Sequence, residues 1–382
     1  MTYILKQKFA VSYSFPIVFT ESIFDLNNCS LKDFFIEFRN PFFRQKVLFV
    51  IDHSVWDSYP NLGSHIESYF KGIDAVELGG KPLLIEGGEA CKNNPKALQS
   101  IIAAVDELGI DRHSYIIGLG GGAVLDLVGY AAAISHRGIR HIRIPTTVLS
   151  QNDSGVGVKN GVNYNGKKNF LGTFCPPAAV FNDYSFLSTL DNRSWISGVS
   201  EAIKVALIKD LPFFEWIKLH AEDLKLREAN AMKELIYRCA DLHLEHIRNG
   251  DPFELGSSRP LDFGHWSAHK LEQLTDFSLL HGEAVAIGLA IDVLYSHFIG
   301  NIEIDQALQV INLMKQLGLP IYHSILSTEE SLQKLIAGLV EFQEHLGGRL
   351  TVVLLEEMGK GKDYHEIDVQ LVLKAINFLR TY

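Results

Sequence analysis

The chain is expected to be an α/β protein, with a Rossmann-like N-terminal domain built on a parallel sheet and an all-α C-terminal domain. Three observations lead there. Short apolar, β-branched runs alternate with helical segments through the first half, the pattern of a parallel α/β layer. A glycine cluster, Gly118-Leu119-Gly120-Gly121-Gly122, joins one of these runs to the helix that follows. From about Ser185 onward, long segments of helical period replace the alternation. At 382 residues the chain exceeds what one core usually serves, so two domains are expected, residues 1–184 and 185–382.

In chain order, Lys46-Val47-Leu48-Phe49-Val50-Ile51 reads as a buried parallel strand ending at Asp52. Pro82–Glu86 is a second strand. Asn94-Pro95 opens a helix that carries Leu98, Ile101, Ile102, Val105 and Leu108 at helical spacing. A third strand, Ser114–Leu119, runs into the glycine cluster and an apolar helix from Ala123, and His141–Pro145 is a fourth. The second half reads as helices over 212–226, 229–248, 262–274, 282–298 and 304–317, with one strand signal near Leu350–Leu355.

Composition narrows the function classes. With 47% hydrophobic and 21% charged residues the chain is an ordinary globular protein, and a net charge of −10 argues against a nucleic-acid surface. Cys29, Cys91, Cys175 and Cys239 are scattered, as reduced thiols are in a cytoplasmic protein. The N-terminus lacks a signal-peptide core, and no apolar run reaches the about 18 residues of a membrane span. A cytoplasmic protein with no membrane partner is expected.

The chemistry-bearing residues cluster. His265 and His269 are four apart and share one helix face, while His281 follows a short break and returns toward it. Catalytic zinc typically takes three protein ligands and keeps a fourth position open. Glu201, set among small and apolar residues, is the carboxylate candidate. The same residues also suit core histidines satisfied by the backbone and a surface pair of Glu201 with Lys204. The glycine cluster lets a backbone approach a pyrophosphate at a helix N-terminus, although Ala123 and Leu125 break the usual dinucleotide fingerprint. Asp52 can accept ribose hydroxyls or simply cap a turn. Asp153, Lys159, Asn160, Asn163, Lys168 and Asn169 in glycine-rich loops suit a phosphate-bearing, hydroxyl-rich ligand, or a solvated loop. Arg137 is a further anion candidate with the same alternative.

Gly120-Gly121-Gly122 with Asp126, Arg137-Gly138, Pro145-Thr146-Thr147, Asp153 with Lys159, Lys168-Asn169, Glu201 with Lys204, Gly264-His265 with His269, and His281-Gly282-Glu283 occur in a particular order and spacing. Over residues 45 to 320 or so, the chain resembles the sugar phosphate cyclases, the 3-dehydroquinate synthase superfamily. The resemblance implies that Glu201, His265 and His281 hold a catalytic zinc, which cobalt can replace. It implies NAD at Asp52, Glu89, Lys92, Gly121, Gly122, Asp126, Thr146 and Thr147. Asp153, Lys159, Lys168, Asn169, Lys204 and His269 would line the substrate pocket. Arg137 would reach the phosphate in the neighbouring subunit, so a homodimer is implied. The family reaction is a transient oxidation by NAD, phosphate elimination, re-reduction and an intramolecular aldol closure, with NAD regenerated.

The departures bear on the substrate. Dehydroquinate synthases hold a carboxylate with a lysine and an arginine; here His243 takes the lysine position, and the arginine position falls at Ser258, beside Arg259. Asp262 replaces an asparagine. A substrate without a carboxylate follows, and sedoheptulose 7-phosphate fits. Arg259–Lys270 is most similar to the 2-epi-valiolone synthases. A phosphate-binding lysine of the family aligns with Phe342 or Gln343. The competing readings are 3-dehydroquinate synthase with His243 and Arg259 shifted onto the carboxylate, 2-epi-5-epi-valiolone or 2-deoxy-scyllo-inosose synthase, and a silent protein keeping NAD as a structural ligand.

Overall fold

The computed structural model describes residues 2–249, 251–254, 261–345 and 348–382. Ser258 and Arg259, named above for the carboxylate position, lie outside the described residues. In the first half, β1 (Ile17–Thr20), β2 (Gln45–Asp52), β3 (Val76–Leu78), β4 (Leu83–Ile85), β5 (Tyr115–Gly120), β6 (Arg140–Pro145) and β9 (Ala179–Asp183) form one sheet. Its order is β1-β9-β6-β5-β2-β3 with β4 also on β2, and every pairing is parallel. β7 (Lys159–Tyr164) and β8 (Lys167–Phe174) stand apart as an antiparallel hairpin.

The parallel sheet is covered on both faces, which is why its central strand reads as a continuous apolar run. Val47, Phe49 and Ile51 of β2 pack with Leu31 and Phe35 of α1 (Ser30–Glu37) and with Ile66 and Phe70 of α3 (Leu62–Lys71). Leu48 and Val50, on the opposite face, pack with Ile101 and Val105 of α5 (Pro95–Glu107) and Leu127 and Val128 of α6 (Gly122–Ile134). Short helices α2 (His53–Ser58) and α4 (Ala90–Asn93) complete this half.

The second half is mostly helical. It holds α7 (Asn192–Ser197), α8 (Val199–Lys209), α9 (Leu211–Leu219), α10 (Ala221–Lys225) and α11 (Ala229–Asn249). After the undescribed residues come α12 (His265–Leu274), α13 (His281–Phe298), α14 (Ile304–Leu317), α15 (Glu329–His345) and α16 (Val369–Thr381). One antiparallel hairpin, β10 (Val352–Glu357) with β11 (Lys360–Tyr364), falls where the strand signal was read, so this half is not purely α. α13 is apolar on all sides and packs against α8, α12, α14 and α16, so it forms the axis of the helical core. No helix of the described residues is long and apolar enough to cross a membrane.

Two features of this frame position the site. Arg143 of β6 is fully buried and donates to the carbonyls of Ser154, Gly155, Gly157 and Lys159 and to Asn160 Oδ1, at 2.6–3.3 Å. One guanidinium thus fixes the turn that carries Asp153 and the start of β7. At the other side, Gly264 has φ 76° and abuts α13: a Cβ on Gly288 would stand 2.1 Å from Gly264 O. The helices meet there main chain to main chain.

Candidate active site and metal centre

Glu201 lies in the first turn of α8, where a carboxylate is favoured by the helix dipole. Helix α8 is buried along most of its length, and so are Glu201 and Lys204; the pair is not a surface salt bridge. Lys204 Nζ stands 2.5 Å from Oε2 yet off the line of a hydrogen bond, and neither carboxylate oxygen receives a directed donor. Burial pushes the Glu201 carboxyl up, but the Lys204 ammonium and His281 outweigh it and hold it well below its usual range. A buried, ionised carboxylate answered by one ammonium but lacking well-directed donors keeps lone pairs that a cation can take.

The histidines supply the rest. His265 Nε2 and His281 Nε2 each lie 3.6 Å from Glu201 Oε1. A tetrahedral ion with bonds of about 2.1 Å spaces its donors about 3.4 Å apart, close to both of these separations; Glu201 also brings an oxygen within 4.8 Å of ligand atoms of Asp153 and His243. Each imidazole has its other nitrogen engaged: His265 Nδ1 is 3.2 Å from Phe263 O, and His281 Nδ1 is 2.9 Å from Glu272 Oε2. That arrangement aims Nε2 inward and sets the tautomer a metal needs. His265, His269 and His281 also bring nitrogens within 4.8 Å of one another, which leaves His269 at the mouth of the same cluster. Burial and Lys168 hold His269 well below the usual imidazole range, so it is neutral.

The turns that carry the candidate ligands are anchored. Asp292 of α13 accepts from Gly264 N and Trp266 Nε1, both at 3.0 Å, which holds the first turn of α12. Burial keeps this carboxyl up at about 7 despite the two donors. Glu283 accepts from Leu280 N at 2.9 Å and is gripped by Arg193 at 2.6 Å through two nitrogens, which fixes the first turn of α13 where His281 sits.

Asp153 belongs to a single π-helical turn, Ser150–Ser154, a local form frequent at functional sites. His243 of α11 meets it, Nε2 to Oδ1 at 3.0 Å, while His243 Nδ1 is 2.9 Å from Cys239 O. Burial opposes charge on both, but their mutual attraction prevails: Asp153 is lowered to about 2 and His243 raised well above the usual imidazole range. Lys204 stays protonated because Glu201, Asp153 and Asp262 surround it. Asp153, Glu201, Lys204, His243 and Asp262 are therefore one charged cluster beside the histidines.

The hairpin β7–β8 and the glycine turn form a second group. Lys92 of α4 is buried, with its Nζ 2.9 Å from Asp126 Oδ2, 3.7 Å from Glu89 Oε1 and bonded to Asn169 Oδ1. Asn163 donates to Glu89 and accepts from the Asn169 backbone, whose φ of 54° is left-handed. Gly121 caps α6 with no side chain on that end, beside Thr146 and Thr147, which leaves the helix N-terminus to an anion. Asp52 caps α2 by accepting from Ser54 N and Oγ, at 3.0 and 2.7 Å.

Two named residues do not join these groups within one chain. Lys159 is mostly exposed and pairs with Glu254. Arg137 sits exposed in a left-handed turn after α6. Conversely, Glu272 was missed. Both its oxygens hold Lys168, at 2.7 and 2.8 Å, and it orients His281. Its position, seven after His265 and three after His269 on one helix face, was the available signal. Glu272→Gln is expected to weaken metal retention about 10- to 100-fold, the usual loss for a ligand's supporting carboxylate. Titration with a competing chelator measures it, and unchanged affinity would refute the role.

Comparison with known proteins follows the same lines. Residues 82–197 match the model of the 3-dehydroquinate synthase N-terminal region and residues 198–338 that of its C-terminal region. A 3-dehydroquinate synthase of Thermodesulfovibrio yellowstonii is 34% identical, over 77% of this chain and 81% of its own. A 2-epi-valiolone synthase of Actinosynnema mirum is 33% identical, over 78% of this chain and 77% of its own. The structure of a 2-epi-5-epi-valiolone synthase from Streptomyces hygroscopicus, with NAD+ and Zn2+ bound, superposes with a TM-score of 0.88 at 29% identity and covers 99% of both chains.

Proposed function

The chain belongs to the sugar phosphate cyclases of the 3-dehydroquinate synthase superfamily, and from that premise we propose that it closes sedoheptulose 7-phosphate to 2-epi-valiolone with release of phosphate. The observation that carries this reading is His243. The residue at the position of a carboxylate-gripping lysine has its charge answered by Asp153 and its other nitrogen by a backbone carbonyl. A substrate carboxylate brought there would meet a cation already neutralised, and the nearby Asp262 would repel it.

On this reading residues 1–184 hold NAD and residues 185–382 the metal, in a cytoplasmic homodimer whose Arg137 reaches the partner's phosphate. Glu201, His265 and His281 hold zinc or cobalt; their orphaned carboxylate oxygens and inward nitrogens fit that ion. Bound NAD supplies a hydride acceptor that returns the hydride to the same molecule, and the metal supplies Lewis acidity at vicinal hydroxyls. Asp153 and the protonated Lys204 orient the substrate hydroxyls. Neutral His269 is positioned to accept or pass a proton near the phosphate. Lys168 and Asn169 line the approach from the hairpin.

Because oxidation and re-reduction occur on one molecule, NAD is expected to be needed in less than stoichiometric amount, with no net NADH at steady state. Phosphate release and absorbance at the NADH band, followed together on purified protein with NAD, zinc and each candidate sugar phosphate, test this. NADH growing in step with product would point to an ordinary dehydrogenase.

A further inference from the structure

Where α12 meets α15 and the hairpin β7–β8, three lysines converge. Lys167, Lys168 and Lys270 line a cavity of about 500 Å3 with Asn169, His269 and Phe342. The His269 ring, which lines the cavity, lies 5.5 Å from that of His265 and 5.8 Å from that of His281, so the cavity adjoins the candidate metal ligands. Glu341 and Glu344 line it too, so whether the cavity suits a phosphate ester turns on which of its three ammonium groups can exchange a carboxylate for the phosphate.

The three lysines are not equivalent. Lys168 is held by both oxygens of Glu272, a buried carboxylate that also orients His281, so its charge is spent within the site. Lys167 is well exposed at the rim, 3.8 Å from Glu344. Lys270 is withdrawn from water, with its side chain 15% exposed, yet its Nζ is held at 2.6 Å by Glu341, whose side chain is 51% exposed. A half-solvated carboxylate grips weakly, and a phosphate with three acceptor oxygens competes well for the same ammonium.

The path of Lys270 is built into the helix packing. A Cβ on Gly338 of α15 would stand 3.2 Å from both Cβ and Cγ of Lys270, so the glycine leaves the channel along which the stem runs. Meanwhile neither residue aligned with the family's phosphate lysine can serve. Phe342 is buried and uncharged, and Gln343 donates to Gly348 O at 2.8 Å.

We propose that Lys270 grips the substrate phosphate in this chain and that Glu341 is the counter-ion the phosphate displaces. The proposal rests on the reading of the substrate as a sugar phosphate. Calorimetric titration of the NAD- and zinc-loaded protein with inorganic phosphate tests it separately from turnover. Lys270→Met is expected to weaken phosphate binding by about tenfold or more, and Lys270→Arg to restore it to within about threefold. Glu341→Gln removes the competitor and is expected to tighten binding about threefold. With a sugar phosphate that is turned over, the Lys270→Met loss falls on KM more than on kcat, since the ammonium holds the phosphate in ground and transition states alike. Methionine keeps an apolar stem over Gly338; should that variant not fold, Gly338→Ala, which presses on the stem, is expected to weaken phosphate binding with Lys270 intact. Wild-type affinity in Lys270→Met, weaker binding in Glu341→Gln, or no phosphate binding by the wild type would each overturn the assignment. Phosphate affinities that follow this pattern without turnover of any sugar phosphate would instead refute the proposed reaction.

Discussion

Supplied with NAD and zinc, the enzyme is expected to release phosphate from sedoheptulose 7-phosphate about 100-fold or more faster, as kcat/KM, than from 3-deoxy-arabino-heptulosonate 7-phosphate, a difference of about 2.7 kcal/mol. The size follows from what a carboxylate would meet. An unpaired anion in a desolvated pocket costs several kcal/mol, and the charge on His243 is already neutralised by Asp153. Asp262, close enough to Lys204 to support its charge, adds repulsion. A sugar that presents a hydroxymethyl ketone escapes both penalties. Faster turnover of the carboxylate substrate would mean that the chain is a dehydroquinate synthase, with Arg259 and His243 on the carboxylate.

His265→Ala is expected to strip the protein of its divalent metal on dialysis and to lower kcat by about 1000-fold or more, the scale of losing Lewis-acid stabilisation. The other two donors, Glu201 Oε1 and His281 Nε2, remain 3.6 Å apart but can no longer close a three-ligand site. The fold is expected to survive, because the turn is anchored through Gly264 and Trp266 by Asp292 and not through the imidazole. Metal content by elemental mass spectrometry, alongside circular dichroism, separates the two effects. Metal-free variant protein turning over at the wild-type rate would dispose of the metal assignment.

Much of the fold was legible because periodicity survives in a single sequence. The run Lys46–Ile51 faces two cores at once and so reads as an unbroken apolar strand. The hairpin β7–β8 was hidden for the opposite reason. Its strands carry Lys159, Asn160, Asn163, Lys168 and Asn169 and are largely solvent-facing or polar, so their alternation has no hydrophobic signature. β1 and β9 are four and five residues long, too short to show a period, and their pairing spans most of the first half of the chain. The site shows the same division. Histidines at helical spacing announced themselves, whereas Glu272 gains its meaning only from Lys168, which lies 104 residues away. The segment 212–226, read as one helix, is two, α9 and α10, that break at His220.

The main-chain contact between α12 and α13 has a consequence for how such an enzyme can change its substrate. Gly264 against Gly288 leaves no side-chain cushion between the elements that carry His265 and His281, and a Cβ on Gly282 would stand 2.0 Å from Ser197 O at the end of α7. A cage joined this way barely adjusts when its surroundings are repacked. His243 and Lys270, by contrast, meet their partners Asp153 and Glu341 away from that seam. For a protein engineer the division is practical: substitution at His243 is the place to test the choice of sugar, while any residue larger than glycine at 264, 282 or 288 is expected to push apart the elements that carry His265 and His281.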